Sequence, residues 1–156
     1  MTTRRLRRLR LGLLVAATVG LVGCGRISTA PPAPTPADFQ GIATELTVRR
    51  IAIDDLVSGD AGCDDKVLIP TAIGITAKGL DQLEPVRLYL YVFRNRTSFD
   101  RLRASIDDCA RAFVTDPETF ETVEQSPFVV AGQGPWAPGF EAAIRDALLV
   151  AAGTGD

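Results

Sequence analysis

The segment VRLYLYVFR, residues 86–94, alternates between two sets of side chains and decides the fold class of this chain. Its even-numbered positions are aliphatic up to Val92, whereas its odd-numbered positions carry Arg87, Tyr89, Tyr91 and Phe93. Successive side chains of a β-strand point to opposite faces, so this alternation predicts a strand. Because apolar or aromatic residues line both faces, we expect the strand to lie in the middle of a sheet.

Hydrophobic spacing and capping residues predict seven further elements around this strand. The predicted helices cover residues 36–48, the residues from Thr97 to a break at Asp116-Pro117, and the residues from Pro138 onward. The other predicted strands are residues 51–57, 71–78, 120–124 and 128–131, and residues 80–85 are predicted to turn the chain. Strands joined by short turns pair in antiparallel fashion. The order α-β-β-β-α-β-β-α therefore predicts an α+β fold: a single two-layer domain, with a mostly antiparallel sheet of about five strands and helices on one face.

The odd-numbered face of the central strand is the candidate binding face. If the helices cover only the other face, Arg87, Tyr89, Tyr91 and Phe93 lie exposed in a row, and an exposed apolar row of this kind indicates a partner surface. Trp136, in a loop between Pro135 and Pro138, is a second candidate for stacking on a sugar or peptide. The alternative is that helices or the N-terminal segment cover the row and that Trp136 closes the end of a core.

The first 24 residues carry a targeting pattern. Five arginines between residues 4 and 10 precede a largely apolar run over residues 11–22, which has the length of a signal-peptide core and is too short to span a bilayer. The sequence Leu21-Val22-Gly23-Cys24 follows. This segment resembles the lipobox of bacterial lipoprotein precursors. The resemblance implies that residues 1–23 are removed and that Cys24 carries a lipid, such as palmitate-containing diacylglycerol, on its sulfur.

Composition divides the remaining chain into a tether and a domain. Four prolines lie within residues 24–36, so the residues after Cys24 are predicted to form a spacer with a reach on the order of 35 Å. Residues 37–156 are predicted to form the globular domain. Without the five early arginines, the chain has 12 basic and 19 acidic residues, a net charge of −7. That charge argues against nucleic acid as a partner, and we expect the membrane to be reached through the acyl chains.

Cys63 and Cys109 are the two cysteines that lipidation would leave. An exported protein meets an oxidising environment, in which two remaining thiols are expected to pair. The sequence therefore predicts a Cys63–Cys109 disulfide. The alternative is a free, buried Cys109 and an unrelated Cys63.

The chain contains no histidine, which excludes the Ser-His-Asp and Cys-His triads and the histidine-based zinc sites. No residue is predicted to be catalytic, and no metal or cofactor is predicted. Three classes of function stay open: a lipid-anchored binding module for an envelope protein, polymer or small ligand; a hydrolase that uses carboxylates; and a structural lipoprotein. The first is preferred, on the extracytoplasmic side of the cell membrane or the outer membrane.

Overall fold

The computed structural model describes residues 37–153 and contains a five-stranded sheet with three α-helices. The elements are α1 (Phe39–Val48), β1 (Ile51–Ser58), a 3-10 turn (Ile69–Thr71), β2 (Ala72–Gly79), β3 (Gln82–Val92), α2 (Arg96–Phe113), a second 3-10 turn (Pro117–Thr119), β4 (Phe120–Gln125), β5 (Phe128–Gln133) and α3 (Pro138–Ala152). The strand order is β1-β2-β3-β5-β4, and all neighbouring strands are antiparallel. The predicted α+β class, element order and number of strands are confirmed.

The helices lie on both faces of the sheet, so the prediction of a single helical layer is wrong. Helices α1 and α3 pack with Leu88 and Leu90 of β3 in one core. Helix α2 packs with Tyr91 and Phe93 in a second core on the opposite face. The reason is that β3 presents large apolar side chains to both sides, and each side needs its own cover.

Strand β3 begins earlier than predicted, at Gln82, and a turn at Leu80 and Asp81 replaces the longer turn expected over residues 80–85. Pro85 lies within the strand. Strand β5 pairs with β3 only between Leu88 and Val92, so the first part of β3 has a single neighbour, β2. A proline is tolerated there because a strand with one neighbour has backbone N–H groups that need no partner strand.

Helices α1 and α2 begin at Phe39 and Arg96 rather than at the predicted residues 36 and 97, and each has a capping side chain. Asp38 caps α1 by accepting a hydrogen bond from the backbone N–H of Gly41 at 3.0 Å. Asn95 caps α2 by accepting from Ser98 N at 2.9 Å. Both caps are short side chains with an acceptor oxygen, the type that helix N-termini prefer. Residue 36, the predicted first residue of α1, lies outside the described residues.

Helix α3 has no capping side chain of its own and is capped by the β2–β3 turn. Its N-cap residue is Ala137. The Asp81 carboxylate accepts from the backbone N–H groups of Gly139 and Phe140, each at 2.8 Å, and Gln82 Oε1 accepts from Ala137 N at 3.0 Å. The hydrogen bond from Gly139 N lowers the pKa of Asp81, against the opposing effect of burial, and weaker hydrogen bonds from the backbone N–H groups of Asp81 and Phe140 lower it further. The turn therefore joins the sheet to α3.

Replacing Asp81 by alanine is expected to lower the Tm by a few degrees, because two helix N–H groups lose their acceptor. The matched control is Glu84→Ala on the same hairpin, which should leave the Tm nearly unchanged. Since the pKa of Asp81 is lowered, its stabilising effect is present above its ordinary pKa of 3.8 and is lost as the pH falls through the lowered pKa. Thermal melts should show a difference in Tm between wild type and the Asp81→Ala variant at pH 7 that becomes smaller at pH 2. An equal difference in Tm at both pH values would contradict this role.

Candidate functional site

Helix α2 and the loop before β2 cover most of the aromatic face predicted from the sequence. Tyr91 has no exposed surface and Phe93 is 2% exposed. The hydroxyl of Tyr91 donates to the carbonyl oxygen of Ala61 in that loop, at 2.8 Å. The continuous exposed row of Arg87, Tyr89, Tyr91 and Phe93 is therefore absent, because two of its members are core residues.

Trp136 lies on the other side of the sheet, in the core shared by α1 and α3. It is 5% exposed, its indole Nε1–H donates to the carbonyl oxygen of Gln133 at 3.1 Å, and its ring meets that of Phe140 edge to face at 6.4 Å. The alternative that this tryptophan closes the end of a core describes its position. It does not share a surface with Tyr89.

Arg87 is half-buried and held in place by one acceptor from β1 and one from the loop that follows β1. Its Nη2 pairs with Asp60 Oδ2 at 2.5 Å, and its Nη1 donates to the carbonyl oxygen of Asp55 at 2.9 Å. Gly74 makes this geometry possible, since a Cβ there would overlap both the guanidinium group of Arg87 and the carboxylate of Asp60. Asp60 therefore largely neutralises the guanidinium charge, and the contacts of Arg87 hold Asp60 and the backbone at Asp55 in place.

Tyr89 begins a row of half-buried rings at the end of α2. Its ring lies 4.3 Å from that of Phe113, which lies 6.4 Å from that of Phe120, measured between centroids. The Arg87 guanidinium group is 5.8 Å from the Tyr89 centroid, within range of a cation–π contact. Burial, and then the charge of Asp60, raise the pKa of the Tyr89 hydroxyl, against a hydrogen bond from Arg87. We call Tyr89, Phe113 and Phe120 the aromatic row.

Gly62 allows the loop before β2 to contact the aromatic row. Gly62 has a φ of +74°, in the region that favours glycine, and a Cβ there would overlap the rings of Phe113 and Tyr89. Asp60 Oδ1 accepts from Gly62 N at 2.9 Å and holds this turn. Asp60 thus positions both Arg87 and the loop backbone that contacts the aromatic row.

A small cleft adjoins the aromatic row at Phe120. It has a volume of about 160 Å³ and is lined by Asp107, Ala110, Arg111, Val114, Pro117 and Phe120. The C-terminal turns of α2 form one wall, and the 3-10 turn before β4 forms the other. Gln133 supports this junction: it accepts from Thr115 N at 2.9 Å and donates to Thr119 Oγ1 at 2.7 Å.

The predicted Cys63–Cys109 disulfide is confirmed, with Cα atoms 5.4 Å apart. It ties the loop before β2 to α2, the two segments that cover the second core. Cys24, predicted to carry the lipid, and the proline-rich tether lie outside the described residues. Within residues 37–153, no helix is both long and apolar enough to span a membrane, and no three potential metal ligands cluster together.

Among the residues predicted for the binding face, all of which the structure describes, Arg87 and Tyr89 are the pair that lies together and half-buried at the surface. Phe113, Phe120 and Asp60 were not predicted as site residues, since Phe113 lies within a predicted helix and Phe120 within a predicted strand. No family model matches the chain, and no curated protein or solved structure shows significant similarity to it. The function has to be inferred from the residues of this chain.

Proposed function

We propose that this chain is a lipoprotein anchored through Cys24 to the extracytoplasmic side of a bacterial cell membrane or outer membrane, and that its domain is a non-catalytic binding module. The observation that carries the proposal is the order of features at the start of the sequence. Five arginines, an apolar run and Leu21-Val22-Gly23-Cys24 follow each other at signal-peptide spacing. Each part of this pattern has a physical role in export or in lipid attachment.

The disulfide supports an extracytoplasmic location. Disulfides persist in oxidising compartments and are rare in the cytosol of most organisms. The Cys63–Cys109 bridge uses the two cysteines that remain when Cys24 is lipidated. A diacyl anchor gives lasting attachment without a spanning helix, so the folded part needs no membrane-spanning segment of its own.

The aromatic row and the adjoining cleft support the binding half of the proposal. Tyrosine and other large aromatic side chains contribute much of the energy of protein interfaces when they become buried. Tyr89, Phe113 and Phe120 are half-buried and lie in one row, so a partner could complete their burial without rearranging the fold. The partner class is an envelope protein, a polymer or a small ligand.

Metabolic labelling tests the anchor. Labelled palmitate should enter the wild-type chain and should be absent from Cys24→Ala, because only Cys24 is predicted to accept the lipid. Cys63→Ser is the matched control, since it also removes a cysteine but should keep the label. Equal labelling of wild type and Cys24→Ala would contradict the proposal.

A further inference from the structure

The size of the cleft decides what kind of group it can hold. Pockets that bury a drug-sized ligand have volumes of roughly 300–1,000 Å³. At about 160 Å³, this cleft is suited to a single side chain rather than to a whole small molecule. Its lining includes Ala110, Val114, Pro117 and Phe120, so the matching side chain is apolar.

The charges around the cleft decide what accompanies that side chain. Two of its lining residues are charged, Asp107 and Arg111, and the lining residue Pro117 lies between Asp116 and Glu118 in the sequence. With Arg103 and Asp108, which pair with the two lining charges, and Glu124, which pairs with Arg103, this set, which we call the rim, holds five carboxylates and two guanidinium groups. Arg103 is shared between Glu124 and Asp107, and Arg111 pairs with Asp108. The C-terminal end of the 18-residue helix α2 adds a partial negative charge. The rim therefore carries a net charge of about −3 and favours a cation.

We infer that this cleft binds a cationic peptide segment, with one aliphatic or aromatic side chain in the cleft and lysine or arginine side chains at the acidic rim. This inference rests on the proposed binding function and adds the chemistry of the partner. The aromatic row continues from Phe120 to Tyr89 and extends the apolar contact beyond the cleft. The negative charge of the whole domain would also attract such a segment at long range.

Fluorescence anisotropy tests the inference with defined peptides. The full-length mature protein, in phosphatidylcholine nanodiscs, is titrated into labelled Gly-Ser-Gly-Leu-Lys-Lys-Gly-Ser-Gly, with empty nanodiscs as the blank. Two matched peptides replace leucine by serine or both lysines by glutamate. We expect each replacement to weaken binding at least about tenfold, since one removes the buried side chain and the other reverses the charge. Similar affinity for all three peptides, or no binding up to millimolar protein, would overturn the inference.

Charge reversals locate the site. Glu118→Lys, at the rim, should weaken binding of the lysine peptide several-fold. The matched control is Asp146→Lys on the exposed side of α3, which changes the total charge by the same amount and should have little effect on binding. Val114→Phe should fill the cleft and reduce the preference for leucine over serine, with thermal melts checking that it folds. Equal effects of the two charge reversals would overturn this location. An absence of palmitate labelling in the wild-type chain would instead contradict the lipid anchor. Failure of the cleft inference and failure of the proposed function are therefore distinguishable.

Discussion

Replacing Tyr91 by alanine is expected to lower the free energy of unfolding by roughly 3–5 kcal/mol, the range for truncating a large aromatic residue in a core. Tyr91 has no exposed surface, and it packs between α2 and the loop that contains Ala61. A loss of this size is a large share of the roughly 5–15 kcal/mol that stabilises a typical domain.

Two further substitutions show how much of this loss comes from the hydrogen bond of Tyr91 and how much from the burial of its ring. Tyr91→Phe should cost about 1 kcal/mol, because it removes the hydrogen bond to Ala61 but keeps the ring. Tyr89→Ala should cost less than Tyr91→Ala, because Tyr89 is only half-buried. Urea unfolding of the three variants measures these differences. A Tyr91→Ala variant as stable as wild type would contradict a core position for Tyr91 and would favour the exposed binding face expected from the sequence.

Alkaline pH should destabilise the domain through the same residue. Burial raises the pKa of Tyr91 well above its ordinary value of 10.0. A raised pKa means that the contribution of Tyr91 is fully present below pH 10 and is lost as the pH rises through the folded-state pKa. Tyr91→Phe should therefore have a shallower loss of stability above pH 10 than wild type.

Removing the Cys63–Cys109 disulfide is the second large effect expected. The bridge joins residues 46 apart, and the chain-entropy relation gives about 4 kcal/mol for a closed loop of that length. The loop before β2 also carries Ala61 and Leu68 into the second core. Its release from α2 would therefore loosen the cover of Tyr91. We expect the Tm to fall by ten degrees or more.

The variant for this test is Cys63→Ser combined with Cys109→Ala, since alanine avoids placing a hydroxyl in the buried Cys109 site. A reductant should lower the Tm of wild type toward that of the double variant and should leave the double variant unchanged. If reductant changes neither melt, the disulfide is not a major source of stability.

The alternation in β3 predicted the central strand and the two sets of side chains, because period-two spacing is a local property of the sequence. It could not predict which set α2 would cover. The helix has one apolar stripe, and such a stripe can pack on either face of a sheet. The binding face was expected to be exposed because all three helices were placed on one side.

Other features depend on contacts between residues far apart in the sequence. Asp81 caps α3 across 58 residues, and Arg87 meets Asp60 across 27. The cleft forms only where the end of α2 meets the turn before β4. Sequence reasoning could identify Arg87 and Tyr89 as candidates, since their residue types suit an interface. It gave no signal that Phe113 and Phe120 would lie half-buried beside Tyr89, because both also suit a core.

Intact-mass spectrometry of the protein purified from membranes tests the central claim, a lipid-anchored and disulfide-bonded extracytoplasmic domain, most directly. We predict a chain that begins at Cys24, carries the mass of a diacylglyceryl group, and gains two hydrogens on reduction while keeping its lipid. An unlipidated chain that retains residues 1–23, or that begins after Cys24, would contradict the claim.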